Sequence, residues 1–190
     1  SNYERRVGDF LEYCRNYFTA MQQLGATIFV LHGNKQVVGM DIDFYCERFG
    51  KLAALGKSYG VTVAQENVAR YTSRSLAFLQ QMQQKMGNEV KFVLDVKQAV
   101  RSKEDPMQML QTLGRNIVHV HISDHGEYGD CLPIGAGRFA VKTFLQTLST
   151  ISPNCTVMLE LYRSGFRTLQ DLLHNYHILQ RMIQNCNKEE

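Results

Sequence analysis

The 190-residue sequence lacks most of the features that announce a specialised class of protein. Its five cysteines, Cys14, Cys46, Cys131, Cys155 and Cys186, are far apart, odd in number and form no C-x-x-C pair. That spacing argues against a disulfide framework or a zinc knuckle and for free thiols in a reducing compartment, so a cytoplasmic location is expected. No apolar run approaches the roughly 20 residues of a membrane span, and the opening residues carry no signal-peptide pattern. Charge of one sign is also scarce. The 21 Lys and Arg against 18 Asp and Glu leave +3, with a sequence pI near 8.6. The basic residues are scattered, without the stripe or patch of a nucleic-acid binder. No G-x-G-x-x-G or G-x-x-x-x-G-K-[ST] sequence marks a nucleotide fold. Neither nucleic acid nor membrane is therefore an expected partner.

What is present reads as an ordinary globular chain, 44% hydrophobic and 21% charged, of a length that suits one domain over residues 1–190. Helical spacing runs from Tyr3 to Leu24, and Gly25 stops it. Thr27 to Leu31 is a short β-rich apolar run ended by His32-Gly33. The pattern then repeats: helix from Asp41 to Leu55, strand Val61–Ala64 closed by Gln65-Glu66-Asn67, helix from Ser73 to Met86 with Ser73 or Ser75 as N-cap, strand Val90–Leu94 ended by Asp95. Asp105-Pro106 predicts an N-cap and first turn of a helix reaching Leu113, with Gly114 behind it. Ile117–His121 is a fourth strand, Ser123–Gly137 a loop, Val141–Leu148 a helix, Thr156–Leu161 a fifth strand, and 168–185 a closing helix. Strands that are apolar throughout and alternate with helices predict a parallel α/β sheet, whose chemistry sits at the carboxyl ends of its strands.

Four of those strand ends deliver a ligand for a hard metal ion: Glu66, Asp95, His121 and Glu160. They follow one another at 29, 26 and 39 residues, about one βα unit each, which places them on one rim. Three oxygens and an imidazole suit Mn²⁺, Mg²⁺ or Co²⁺, and less exclusively Zn²⁺. Any one such carboxylate could equally be a helix N-cap or an ion-pair partner. Four in register are much harder to obtain by accident.

Glu66-Asn67 after a strand, Leu94-Asp95-Val-Lys-Gln98-Ala99, His119-Val-His121-Ile-Ser-Asp124, Asp130-Cys-Leu-Pro-Ile-Gly-Ala-Gly137 and Leu159-Glu160-Leu161 resemble the xylose-isomerase-like TIM-barrel superfamily. The sugar phosphate isomerase/epimerase members are the most similar. The resemblance implies a (β/α)8 TIM-barrel type of fold, incomplete at the N-terminus, in which the five parallel strands here are the fourth to the eighth. Five βα units cannot close an eight-stranded barrel. A shortened chain, loss of an N-terminal part, or a second chain over the gap, as in a homo-oligomer, each accounts for this. The resemblance also implies a divalent-metal-dependent isomerase or epimerase acting on a small sugar or sugar phosphate. The metal held by Glu66, Asp95, His121 and Glu160 would polarise the carbonyl and stabilise an enediolate. Glu66 and Glu160, from opposite sides, would take and return the proton.

Other residues carry weaker expectations. His32 at its strand end and Gln98, in place of a histidine common in relatives, are expected to contact substrate. Lys97 and Arg163 are expected to pair with a phosphate or acid group of the substrate or to form surface salt bridges. His119 is expected to face away from His121 as a structural residue, and His125 to sit in a mobile loop as a lid residue. Two alternatives differ in class. An endonuclease-IV-like abasic-site nuclease would need a three-zinc cluster, but Gln98 and Leu132 stand where its additional ligands would be. An inactive barrel fragment would need none of the four ligands.

Overall fold

The structure, a computed structural model, describes residues 2–35 and 39–186, with the backbone alone for residues 2–4. Chain order is α1 (Asn2–Leu24), β1 (Ile28–Leu31), α2 (Ile42–Ser58), β2 (Thr62–Glu66), α3 (Leu76–Met86), β3 (Lys91–Asp95), α4 (Val96–Arg101), α5 (Pro106–Leu113), β4 (Ile117–Ile122), β5 (Asp124–Gly126), β6 (Gly129–Leu132), α6 (Val141–Ile151), β7 (Thr156–Leu159) and α7 (Leu169–Cys186). No described helix is long and apolar enough to cross a membrane.

Five strands form one all-parallel sheet in the order β1-β2-β3-β4-β7. Helical crossovers connect them, which is how parallel neighbours are joined. The result is a curled half-barrel with helices packed on its outer face. Side-chain alternation explains the layering. Val63, Phe92, Leu94, Val120 and Ile122 point outward into the buried core with Phe49, Leu52, Leu79, Met82, Met109, Leu110, Leu113 and Phe144 from the helices. Positions one residue out of phase, among them Ala64, Val93 and Met158, point to the inner face. Among the described residues no strand joins β1 to β7, so both remain edges, and Met158 on the inner face of β7 is 45% exposed.

Local signals act where the sequence puts them. Asp41 Oδ1 accepts from Asp43 N and caps α2 at 2.8 Å. Of the two serines before α3, Ser75 is the cap, accepting from Phe78 N, while Ser73 lies in a 3₁₀ turn. Asp105 caps α5 with Pro106 behind it. Between Asp95 and Asp105, Asp95 starts a short helix, α4. One expectation is corrected. Ser123–Gly137 is not a plain loop, since β5 and β6 pair antiparallel within it. The buried carboxylate of Asp124 organises that segment, with Oδ1 accepting from His125 N (2.7 Å) and Phe139 N (3.0 Å) and Oδ2 from Gly135 N (2.9 Å) and Gly137 N (3.0 Å).

Candidate metal centre

Glu66 ends β2, Asp95 ends β3, His121 lies in the last turn of pairing of β4, and Glu160 follows β7. Backbone register brings them level. Asp95 is directly opposite His121, helped by an irregularity between Phe92 and Val93 that shifts β3 against β4. His121 stands opposite Met158, and Glu160 N continues that ladder to Ile122 O at 3.0 Å. One ligand atom from each of Glu66, Asp95, His121 and Glu160 lies within 4.8 Å of all the others. Ligands on opposite sides of an ion bonded at about 2.0–2.3 Å would be about 4–4.6 Å apart, so the cluster has the span of a coordination sphere.

His121 Nδ1 faces the carboxylates, 3.1 Å from Glu66 Oε1, 3.2 Å from Glu160 Oε2 and 3.7 Å from Asp95 Oδ2. Burial works against its charged form, yet Asp95, Glu160 and Glu66 together lift its pKa to about 11. Glu160 moves the opposite way, to about 2, chiefly because His121 donates to it. Burial holds the Asp95 carboxyl above the usual range, although His121 and the Gln98 N–H oppose that shift. Glu66 Oε2, Asp95 Oδ2 and Glu160 Oε2 are buried without a hydrogen bond of good geometry. The nearest side-chain nitrogens are His32 Nε2 at 2.8 Å, Lys97 Nζ at 3.4 Å and His121 Nδ1 at 3.2 Å respectively. Buried carboxylate oxygens normally accept hydrogen bonds of good geometry, and three converging without one fit a site built for a cation.

Asp95 serves both readings its position allowed. Its Oδ1 caps α4 by accepting from Gln98 N at 2.9 Å, while Oδ2 turns into the cluster. Two amides hold the rim. Asn67 clamps the Asp95 backbone, accepting from its N–H at 2.7 Å and donating to its carbonyl at 2.9 Å. Gln65 donates to the Leu31, His32 and Glu66 carbonyls and accepts from the Tyr45 hydroxyl at 2.6 Å. Gly33 is required next to that hydroxyl, since its φ is +80° and any Cβ would overlap it. The clamping roles of these amides are not legible in sequence, where a polar residue beside a strand end reads only as the start of a turn.

The remaining expected site residues are dispersed. His32, its side chain 58% exposed, reaches Glu66 and belongs to the rim. Gln98 accepts from Ala69 N at 3.1 Å, bridging β3 and β2 ends beside the cluster. Lys97 is no surface residue: its side chain is 3% exposed, and Nζ lies 2.5 Å from Glu160 Oε1. Burial opposes its charge, but Glu160 and Asp95 more than offset this and raise its pKa. Arg163 is not brought into the cluster, as it donates to the Phe166 and Arg167 carbonyls of its own turn. His119 corrects a misapplied alternation. Residues two apart on a strand share a face, and the His119 and His121 rings are 5.0 Å apart, with Thr156 Oγ1 2.6 Å from His119 Nδ1. His125 is in β5 with its ring 5.1 Å from that of Phe139, a packed position within the hairpin.

The model for the xylose isomerase-like TIM barrel family matches residues 1–183. No curated protein sequence matches the chain. Among solved structures, a D-tagatose 3-epimerase-like protein superimposes with a TM-score of 0.77 at 19% identity, over 100% of this chain and 74% of that one. A sugar phosphate isomerase/epimerase from Parabacteroides distasonis gives 0.74 at 16% identity, covering 93% of this chain and 67% of that one. An IolI protein with a bound zinc atom gives 0.69 at 19%, covering 97% and 69%. At these identities the superpositions speak to the fold.

Proposed function

Because the chain belongs to the xylose isomerase-like TIM-barrel family, we propose that it is a divalent-metal-dependent isomerase or epimerase of a small sugar or sugar phosphate. The observation that carries this reading is the convergence of Glu66, Asp95, His121 and Glu160 within 4.8 Å, with three buried carboxylate oxygens that lack a hydrogen bond of good geometry. Mn²⁺, Mg²⁺ or Co²⁺ best suits three oxygens and a nitrogen, and Zn²⁺ is compatible. When bound there, the ion would polarise the substrate carbonyl and offset the negative charge that builds on the oxygens as a proton leaves carbon.

The residues themselves would handle that proton. Glu66 and Glu160 come from β2 and the end of β7, which flank β3 and β4 in the sheet, so they address a substrate from two sides. One carboxylate would take the proton from the carbon beside the carbonyl and the other would return it, to the opposite face in an epimerase or to the neighbouring carbon in an isomerase. His32 and Gln98 stand at the rim, where each can hydrogen-bond a sugar hydroxyl. The five cysteines, odd in number, widely spaced and without a C-x-x-C pair, suit a reducing, cytoplasmic setting.

The nuclease alternative asks for further metal ligands, and the local contacts favour the isomerase. Arg101 occupies Asp130 through two contacts of 2.5 and 3.0 Å, and Gln98 Oε1 accepts from Ala69 N, which leaves its NH₂ for a substrate hydroxyl. The test is metal stoichiometry, by elemental analysis and Mn²⁺ titration. One ion per chain, abolished by Asp95→Asn, supports the reading. Three zinc ions would favour the nuclease, and no bound ion an inactive barrel.

A further inference from the structure

Lys97 is the second residue of α4, two past Asp95, and its side chain is 3% exposed. A lysine is buried this far only when its charge is matched. Its Nζ lies 2.5 Å from Glu160 Oε1 and 3.4 Å from Asp95 Oδ2, two of the four proposed metal ligands. The Tyr162 ring lies over it, 4.9 Å from Nζ to the centroid. That ring is fixed in turn, because the Tyr162 hydroxyl accepts from Arg101 Nη1 at 2.7 Å and Arg101 is clamped to Asp130. The ammonium is therefore held in place by the fold, and it faces Glu160 Oε1 while Oε2 points to His121.

Two effects of this arrangement on a metal ion oppose each other. Lys97 orients Glu160, which favours coordination, and it places a positive charge beside the cation, which disfavours it. The backbone at Glu160 is anchored independently by the N–H bond to Ile122 O and by Cys131 Sγ on its carbonyl, so orientation survives in part without Lys97. Repulsion between a unit charge and a dication a few ångströms apart is worth about tenfold in affinity even at water-like screening, and more in a buried site. Repulsion is the larger effect. The charge count agrees: three carboxylates, one ammonium and a dication sum to −3 + 1 + 2 = 0, whereas without the lysine the loaded site would carry −1.

We infer that Lys97 is a resident counter-ion of the metal centre, which keeps its three carboxylates folded together before the ion arrives and lowers the affinity of the site for it. This positioning role rests on the metal reading above. It also implies an exchangeable ion, since the vacated cluster is never left without a cation.

The test compares wild type, Lys97→Met and Lys97→Arg, stripped with chelator and titrated with Mn²⁺, following free Mn²⁺ by electron paramagnetic resonance. Expected is one Mn²⁺ per chain in all three, bound at least about tenfold more tightly by Lys97→Met and within about threefold of wild type by Lys97→Arg. The metal-free melting temperature of Lys97→Met should fall below that of wild type, and its rise on Mn²⁺ addition should be larger. Equal or weaker binding by Lys97→Met overturns the inference. If that variant does not fold without metal, it is refolded in excess Mn²⁺ and the loss of the ion to chelator is timed. Slower loss than wild type supports the counter-ion, and equal or faster loss, or no folding even with Mn²⁺, overturns it. Absence of Mn²⁺ binding by wild type would instead overturn the metal reading and this inference with it.

Discussion

Loading the metal centre should expel a proton. In the metal-free protein burial disfavours the His121 imidazolium, but Asp95, Glu160 and Glu66 lift its pKa from 6.5 to about 11. Glu160, held near 2 mainly by His121, is already ionised at neutral pH. A cation needs the Nδ1 lone pair that faces the carboxylates, so each ion bound between about pH 7 and pH 9 should release about one proton. The apparent dissociation constant then falls about tenfold per pH unit. At pH 7 the raised pKa of His121 leaves affinity well below that of the deprotonated site. The sign for stability is opposite in the metal-free protein. Because the folded pKa of His121 is raised, its contribution is complete below about pH 6.5 and is lost as pH rises toward about 11. Titration calorimetry of Mn²⁺ binding in buffers of different ionisation enthalpy counts the protons released, and repeating it at pH 7, 8 and 9 gives the slope. No proton release together with a flat pH profile would refute Nδ1 of His121 as a ligand in exchange with its proton.

Three substitutions test the scaffold around the site. Gly137→Ala should cost about 2–4 kcal/mol, read from the urea midpoint, because its Cβ would overlap Asp124 Oδ1 and the His125 carbonyl. Asn67→Ala should leave the Asp95 N–H and carbonyl unpaired, losing about 2–4 kcal/mol and weakening Mn²⁺ binding about tenfold. His32→Ala removes a half-exposed side chain at the rim that reaches Glu66 Oε2; a raised KM for sugar with Mn²⁺ binding intact would mark its rim role.

The parts of the fold that read clearly from sequence are those in which one signal dominates. Apolar runs such as Phe92-Val-Leu94 and Ile117–His121 can be buried only as strands of a covered sheet, and the observed strands begin or end within a residue or two of the reading. The same clarity extends to Glu66, Asp95, His121 and Glu160, whose regular spacing transmits directly into register. What was missed depends on contacts distant in sequence. The helix α4 has six residues, too few to show a period, and begins on the residue that ends β3. The β5–β6 hairpin has no apolar alternation, because a single carboxylate, Asp124, holds it through four backbone N–H groups. Lys97 looks like any surface lysine of a first helical turn until β7 brings Glu160 to it across 63 residues. The same holds for Asn67 and Gln65, whose partners lie on neighbouring strands.

The central claim, proton transfer by Glu66 and Glu160 at a metal-held sugar, is tested most directly by solvent exchange. The Mn²⁺-loaded protein would be incubated in D₂O with a panel of ketoses and their phosphates, and the sugars analysed by NMR. The account predicts deuterium at the carbon beside the carbonyl of at least one sugar, lost on chelation and reduced about 10²-fold or more in Glu66→Gln and Glu160→Gln. One bound Mn²⁺ per chain with no exchange into any sugar, or exchange undiminished in both variants, would contradict it.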